Sequence, residues 1–156
     1  MERLTMRNLK LPPYPFRIIE KEGKQYIFDE SRNKWILLTP EEWVRQHFFR
    51  FLTEDKGFPK ALIALEKKVL LNGVTLRFDL LVYDRKGKPL LIAEFKSPQV
   101  AINQQVFRQA SRYNEMLLAP YCLVSNGLDI FLCKMDFGNR SVEYLTDIPE
   151  FQTLNQ

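Results

Sequence analysis

The chain has 156 residues and a formal net charge of +4, which is the length of one ordinary domain and a mildly basic balance that permits nucleic-acid binding without requiring it. Hydrophobic residues make up 46% of the chain and charged residues 27%, so the composition is that of a folded globular protein and excludes a disordered one. The single histidine and the two cysteines exclude zinc deaminases, zinc hydrolases of the usual kind and catalytic triads built on histidine, because those sites need several such side chains.

The sequence also indicates where the protein works. It contains no run of about 18 apolar residues, so we expect no membrane contact through a spanning helix. The first residues have no apolar segment of the kind that secretory signals carry, and two cysteines without such a signal are typical of a reducing compartment. We therefore expect a cytoplasmic protein in which Cys122 and Cys133, both in apolar strand-like runs, are buried and free.

Residues 1–38 are predicted to form an N-terminal arm and a small β element that packs on the core. Residues 1–15 hold three prolines and are expected to be extended. β-rich runs follow at 16–20, 25–28 and 34–38, with turn-forming residues between them. This pattern predicts a small antiparallel sheet ahead of the main domain.

The core is predicted to begin at Thr39, with a helix over about 40–54. Thr39 is a good helix cap, Pro40 suits the first turn, and two acids follow near the positive end of the helix dipole. At about 100° per residue the apolar side chains form one stripe, with Glu41 at its edge and Glu42 pointing nearly the opposite way. The members of the stripe are Val44, Phe48, Phe51 and Leu52.

The remaining elements predict an α/β domain with a mixed sheet over residues 39–146. Strand-like runs occupy 61–71, 75–84 and 89–95, a helix is expected at 103–118, and the segments YCLVSNG and LDIFLCKMD give two more strands. Asn72-Gly73 predicts a hairpin between the first two of these strands, and the helix is expected to cross to a parallel neighbour. Residues 147–156 are predicted to be a frayed C-terminal tail.

Three charged side chains in neighbouring strands carry the functional prediction. Glu94 and Lys96 are two residues apart and so point to the same face, whereas Phe95 points to the other. The turn-forming segment from Asp84 to Lys88 predicts a second hairpin, between the 75–84 and 89–95 runs, and this hairpin brings Asp79 opposite or diagonal to the pair. Two carboxylates held this close repel each other unless a cation lies between them, and Mg²⁺ prefers carboxylate, carbonyl and water oxygens. A lysine beside the ion can orient a bound water.

The same residues have an ordinary alternative. Asp79 can pair with Arg77 or Lys96, and Glu94 with Lys96 can form a solvated edge of the sheet. In that case the charges have no catalytic meaning.

Two further features favour the metal site. Gln109 and Tyr113 lie four residues apart and are predicted to share the packing face of the 103–118 helix, where polar groups need partners. Glu41, at the edge of the apolar stripe, can reach the same patch, although an acid at a helix start also simply complements the dipole.

Asp79, Glu94-Phe95-Lys96 and Gln109-Ala-Ser-Arg-Tyr113 together resemble the PD-(D/E)XK nuclease pattern, in its RecB-like branch with a Q-x-x-x-Y motif. Over roughly residues 35–135 the chain resembles the N-terminal nuclease domain of type I restriction enzyme restriction subunits. The segments that carry this likeness are TPEEWVRQHF, NGVTLRFDLLVYD, EFKSP, FRQASRYN and VSNG. The resemblance implies a restriction-endonuclease-like α-β-β-β-α-β core, flanked by helices, and Mg²⁺-dependent hydrolysis of DNA phosphodiesters, with Mn²⁺ as a substitute ion. Phe78 replaces the proline expected before the first acid.

The resemblance also implies a role for each residue of the metal site. Asp79 and Glu94 would bind the metal together with the backbone carbonyl of Phe95, and Glu41 would complete the site through water. Lys96 would position the attacking water.

The remaining motif residues are implied to meet the DNA. Gln109 and Tyr113 would support the catalytic site and contact the DNA backbone. Cationic side chains are also available for phosphates. They are Arg77, Lys86, Lys88, Arg108 and Arg112. Of these, Arg77, Arg108 and Arg112 are expected to bind the DNA.

No G-x-x-x-x-G-K-[ST] phosphate loop occurs, so an ATP-driven motor is not expected in this chain. DNA is the expected partner, and the resemblance implies motor, methyltransferase or specificity subunits acting in trans, with the oligomeric state left open. Two alternatives stand beside the nuclease. One is a nucleic-acid-binding or interaction module of the same fold without activity of its own, and the other is a structural or oligomerisation domain with an unrelated charged patch.

Overall fold

The computed structural model describes residues 8–155. In this part of the chain, a small sheet comprises β1 (Ile18–Lys21), β2 (Lys24–Asp29) and β3 (Lys34–Leu37). A larger sheet comprises β4 (Ile63–Leu71), β5 (Val74–Tyr83), β6 (Pro89–Phe95), β7 (Tyr121–Ser125), β8 (Ile130–Asp136) and β9 (Ser141–Leu145). The helices are α1 (Pro40–Arg50), α2 (Gln104–Leu117) and α3 (Phe151–Leu154). A π-helical turn (Phe51–Asp55) continues α1, and a short 3₁₀ turn (Lys60–Leu62) precedes β4.

The larger sheet is mixed, as the sequence predicted. Its strands lie side by side in chain order from β4 to β9, and every neighbouring pair is antiparallel except β6 and β7. α2 makes the crossover between these two parallel strands, because a parallel pair needs a long connection. The edge strand β9 was not predicted, although its first four residues alternate between polar and apolar; four of its five side chains are exposed.

The first helix, α1, packs against β6, the strand that carries the charged motif. The Thr39 side chain accepts a hydrogen bond from the backbone N–H of Glu42 at 3.0 Å, which caps the helix as predicted. Val44, Phe48 and Leu52 are buried against one face of the larger sheet. The Phe48 ring stacks on Phe95 with centroids 4.9 Å apart, so α1 fixes the end of β6.

The small sheet covers a second face of α1, and this corrects the expectation for Glu42. The Glu42 carboxylate is buried rather than pointing to solvent, and Arg32 Nη2 donates to it at 2.6 Å. Gln46 Nε2 donates to both Glu42 and Asp29 at 2.9 Å. A single apolar stripe does not predict this, because polar side chains that satisfy each other can also fill a buried helix face.

α2 packs on the sheet through its apolar side chains, as expected, but two of its polar motif residues lie outside that packing face. Asn103 caps its start, and Ala110 and Asn114 are the buried positions of the helix. Gln109 and Tyr113 are exposed, so the expectation that they share the packing face is wrong. Asn114 takes the buried place because its side chain accepts from the N–H of Ala119 at 2.9 Å and donates to its carbonyl at 2.7 Å, which closes the end of the helix.

The C-terminal segment 147–156, predicted to fray, is packed as far as the structure describes it. Ile148, Phe151 and Leu154 are buried in the same core as α1, and the Phe151 ring lies 5.3 Å from that of Phe58. These apolar side chains recur every three residues, a helical spacing that sequence reasoning overlooked because the segment is so short.

The N-terminal arm forms no helix or strand over residues 8–15, and residues 1–7 of the predicted extended arm lie outside the described part of the chain. Leu9 and Leu11 pack against the core, and the backbone N–H of Lys10 donates to the Gly127 carbonyl at 2.8 Å. The arm is therefore held on the domain rather than projecting from it.

The two cysteines are free and buried, as predicted, and they face each other across the β7–β8 pair. Between residues 8 and 155, the structure contains no helix with the length and apolar character that crossing a membrane requires.

Candidate active site

The end of the β5–β6 hairpin brings two carboxylates together. Leu80 pairs with Ala93 and Leu81 with Ile92, so continuing the register by one residue places Asp79 opposite Glu94. β5 leaves β6 at this point, and Asp79 Oδ2 accepts the backbone N–H of Phe95 at 2.7 Å in place of a strand-to-strand bond. That hydrogen bond fixes the Asp79 carboxylate beside the end of β6.

Lys96 completes the cluster on the same face. Its Nζ lies 3.6 Å from Glu94 Oε1, whereas the ring of Phe95 between them is buried on the opposite face of the sheet. The structure therefore brings Asp79, Glu94 and Lys96 together as the hairpin and the two-residue spacing predicted.

Burial and the neighbouring charges both perturb the ionisation of Glu94. Burial, and then the nearby Asp79 carboxylate, raise the pKa of Glu94 to about 7, and Lys96 offsets only part of the effect. Burial and Asp79 also raise the pKa of Glu41, against the charges of Arg45 and Lys96. Glu41, with a side chain 47% exposed, thus belongs to the same electrostatic group, as its helix phase predicted.

A guanidinium that sequence reasoning missed lies among these acids. Arg45 is buried, and its Nη2 lies 2.9 Å from Glu66 Oε1, 3.2 Å from Asp79 Oδ1 and 3.4 Å from Glu41 Oε1. Its Nη1 pairs with Glu42, and its Nε is buried with no hydrogen-bond partner. Arg45 is one helical turn after Glu41, which is the signal that could have found it.

Glu66 is the second residue that the sequence analysis missed. In the β4–β5 hairpin, Leu65 pairs with Leu80 and Lys67 with Phe78, so Glu66 lies opposite Asp79. Counting back from the Asn72-Gly73 turn in the sequence could have predicted this position. Its backbone is left-handed with φ of 53°, a conformation that is uncommon for a residue other than glycine. Burial opposes ionisation of Glu66, but the hydrogen bond from Arg77 and the charge of Arg45 outweigh it and lower its pKa.

These contacts decide which ordinary ion pairs exist. Arg77 pairs with Glu66 rather than with Asp79, and Asp79 pairs with Arg45. Lys96 does pair with Glu94, as the ordinary alternative expected.

The donor chemistry suits a hard divalent cation, although the arrangement is not a closed cage. Among residues 8–155, no group of three or more His, Cys, Asp or Glu side chains is arranged to hold a metal ion. Mg²⁺ does not need such a group, since it usually binds one or two carboxylates and keeps several waters. Asp79 and Glu94 provide that pair, and they lie close enough for the Asp79 charge to raise the pKa of Glu94, after burial as the larger cause. The side chains therefore fit the ion.

The candidate DNA-binding residues lie in three places. Arg108, Gln109, Arg112 and Tyr113 are exposed on α2. Arg77 is exposed but engaged by Glu66. Lys86 and Lys88 lie in the β5–β6 turn, and Glu94 comes six residues after Lys88 along an extended strand, which is roughly 20 Å at 3.3 Å per residue. Those two lysines are too far to bind a phosphate at the site.

Comparisons with known proteins identify the family of the chain and a structure with a similar fold. Residues 40–149 match the family model described as type I restriction enzyme R protein N terminus. No curated protein matches the chain. Among solved structures, the chain is similar to a fragment assigned as an HsdR subunit of a type I restriction enzyme from Vibrio vulnificus YJ016, with 20% sequence identity and a TM-score of 0.54. This match covers 75% of the chain and 24% of that structure, so the chain spans about a quarter of its length. At this identity the likeness shows a shared fold.

Proposed function

Because the chain belongs to the type I restriction enzyme R protein N terminus family, we propose that it is a metal-dependent DNA nuclease domain of the PD-(D/E)XK type. The family membership confirms the resemblance to restriction-subunit N-terminal domains that the motifs predicted. The nuclease chemistry, the restriction-endonuclease-like core and the cofactor are the proposal.

The observation that carries the proposal is the convergence of Asp79, Glu94 and Lys96 at the end of β6. Asp79 is anchored by the backbone N–H of Phe95 at 2.7 Å, and Lys96 Nζ lies 3.6 Å from Glu94. A half-buried carboxyl with a pKa of about 7 beside a second carboxylate is the kind of perturbed group that clusters at functional sites.

Each residue of the cluster has a defined task in this proposal. Asp79 and Glu94 would hold Mg²⁺ or Mn²⁺ together with the Phe95 carbonyl, and Glu41 would contact the ion through water. The bound ion supplies Lewis-acid polarisation of the phosphate and lowers the pKa of a water molecule. Lys96 orients that water and stabilises the negative charge that grows on the phosphate, because its ammonium faces the same patch.

The outer face of α2 is proposed to meet the DNA backbone. Gln109 and Tyr113 are exposed there, so they would contact substrate directly rather than brace the catalytic residues from within the core. Arg108 and Arg112 lie one helical turn apart on the same helix and would bind phosphates. Arg77 would first have to leave Glu66.

Partner subunits are also proposed. The chain covers 24% of the solved HsdR fragment, so a complete machine of that kind contains much more than this domain. Motor, methyltransferase or specificity subunits would then present the DNA in trans.

One observation favours a second candidate function, a nucleic-acid-binding module that does not cut on its own. The Arg45 guanidinium already neutralises Asp79 at 3.2 Å and also contacts Glu41 and Glu66. If this cation stays in place when DNA binds, the acids hold the fold together and no metal enters.

A cleavage assay separates the two candidates. Plasmid and single-stranded DNA are incubated with wild-type protein in Mg²⁺, Mn²⁺ or EDTA, and binding of the same DNA is measured in parallel. The nuclease predicts metal-dependent cleavage, and Lys96→Ala should keep metal and DNA binding but lose cleavage. Asp79→Ala should lose both metal binding and cleavage. Wild-type protein that binds DNA and metal yet never cuts would favour the silent module.

A further inference from the structure

A groove on the α2 side of the larger sheet lies next to the proposed active site. α2 packs against β6 and β7, so the face of β8 and β9 extends past it and leaves a depression of about 680 Å³. The part of its lining that matters here is Gln104, Phe107, Arg108, Phe131 and Tyr144.

Aromatic rings form much of this groove. Phe131 is 40% exposed and Tyr144 is 66% exposed, so both rings are open to a ligand in the groove. The ring of Phe107 lies 6.2 Å from that of Tyr144, so two rings stand side by side along the groove. Exposed ring faces are the platforms on which unpaired nucleic-acid bases stack.

The charge of the groove favours a polyanion. Arg108 lines it from α2, and none of its described lining residues is acidic. Gln104 adds a side-chain amide that can donate and accept hydrogen bonds. An aromatic platform with a cation and amide groups matches a single nucleic-acid strand better than an acidic or purely apolar protein segment.

The strand register ties the groove to the proposed active site. Glu94 pairs with Val124, and Val124 pairs with Phe131, so the three residues form one row across β6, β7 and β8. Neighbours in such a row point to the same face, and two strand spacings put Phe131 roughly 10 Å from Glu94. A single strand of DNA can therefore reach both places with neighbouring nucleotides.

We infer that this groove binds single-stranded DNA by stacking its bases on Phe131 and Tyr144 while Arg108 holds the backbone. The inference rests on the proposed function and names its substrate class as DNA with an unpaired strand beside the cut. A paired duplex keeps its base faces stacked inside the helix and cannot use these rings. Unpaired bases next to the scissile phosphate can.

The test measures binding without cleavage. Fluorescence anisotropy in EDTA compares a short oligothymidine with a duplex of equal length, using the full chain. Wild type should bind the single strand more tightly than the duplex, and salt should weaken both interactions. Tyr144→Ala and Phe131→Ala should each weaken single-strand binding by about tenfold and leave duplex binding unchanged, since stacking contributes on that scale per base. Tyr144→Phe keeps the ring and should bind as wild type does.

Trp35→Ala is the matched control for Phe131→Ala, because Trp35 is an aromatic side chain of similar exposure, 37%, on the separate small sheet. It should not change DNA binding. Equal unfolding temperatures for all variants would show that the fold is kept. The inference is overturned if wild type does not prefer the single strand, or if Tyr144→Ala and Phe131→Ala bind it as wild type does, as expected if a protein segment fills the groove.

The result is separable from the proposed nuclease activity. Cleavage by wild type with unaltered single-strand binding in the groove variants would remove this inference and leave the nuclease. Groove-dependent single-strand binding with no cleavage in any metal would support this inference and remove the nuclease.

Discussion

Arg45 Nη2 lies 3.2 Å from Asp79 Oδ1, so a buried guanidinium touches the carboxylate that is proposed to bind metal. The same nitrogen lies 2.9 Å from Glu66. Without a metal ion, Arg45 is therefore the cation that allows these acids to be buried together, since unpaired buried carboxylates are costly.

Replacing Arg45 tests this role. Arg45→Gln should lower the free energy of unfolding of the metal-free protein by about 3 kcal/mol, because it leaves several carboxylates uncompensated. Mg²⁺ or Mn²⁺ should then raise the unfolding temperature of the variant more than that of wild type, because a divalent ion can take over the missing charge. Thermal unfolding with and without metal measures both effects.

The control for that experiment is Lys60→Gln, which removes an exposed partner of Glu30 at 3.4 Å and should cost less than about 1 kcal/mol. A metal-induced shift in Arg45→Gln no larger than in wild type would contradict the idea that the ion and the guanidinium balance the same acids.

Glu41 and Glu42 should respond in opposite ways to alanine. Glu42 is buried between Arg32 and Arg45, so Glu42→Ala should destabilise the protein by about 3 kcal/mol. Glu41 is half exposed, so Glu41→Ala should change the free energy of unfolding little. The same substitution should reduce metal-dependent cleavage, because Glu41 is proposed to contact the ion through water. Chemical unfolding and cleavage rates of the two variants, measured side by side, check this. Stability loss in Glu41→Ala and none in Glu42→Ala would reverse the assignment.

The pKa of Glu94 gives a pH dependence with a definite sign. Its folded pKa of about 7 lies above its ordinary value of 4.5, so the folded state holds the proton more tightly than the unfolded state. The stability from this group is present below pH 4.5 and is lost as the pH rises through about 7, on the order of 2 kcal/mol after allowing for partial exposure. Glu94→Gln should remove this component.

The measurement is the unfolding temperature of metal-free protein across this pH range, compared between wild type and Glu94→Gln. Taking the difference cancels the contributions of other titrating groups, which both proteins share. Parallel pH profiles for the two proteins would show that Glu94 ionises normally. In wild type, metal-dependent cleavage should in turn fall as the pH drops below about 7, because protonated Glu94 is a poor ligand.

The two thiols should be inert in the folded protein. Burial raises the pKa of Cys122 to about 12 and that of Cys133 to about 11, so the reactive thiolate is scarce near neutral pH. Iodoacetamide should label neither thiol in native protein and both in urea, as read by mass spectrometry. Rapid labelling of the native protein would contradict the packing around β7 and β8.

Much of the fold was predictable because its signals are local. The β5–β6 hairpin and the two-residue spacing of Glu94 and Lys96 correctly placed three charged groups together. The exposure of Gln109 and Tyr113 was not predicted, because the buried polar side chain of α2 is Asn114 instead, which bonds to Ala119.

The environment of Arg45 was likewise invisible to single-helix reasoning. It depends on acids from α1, β4 and β5 at once, and on the small sheet that buries Glu42. Long-range packing of polar groups leaves no periodic pattern in the sequence, whereas apolar stripes do.

The most direct test of the central claim is whether a divalent ion binds at Asp79 and Glu94. Calorimetric titration of Mn²⁺ into metal-free protein, above pH 7 so that Glu94 is ionised, is compared for wild type, Asp79→Asn and the exposed control Asp147→Asn. We expect one ion to bind wild type and Asp147→Asn equally, and at least about tenfold weaker binding to Asp79→Asn. Wild-type protein that takes up no ion, or Asp79→Asn protein that binds it unchanged, would contradict the account.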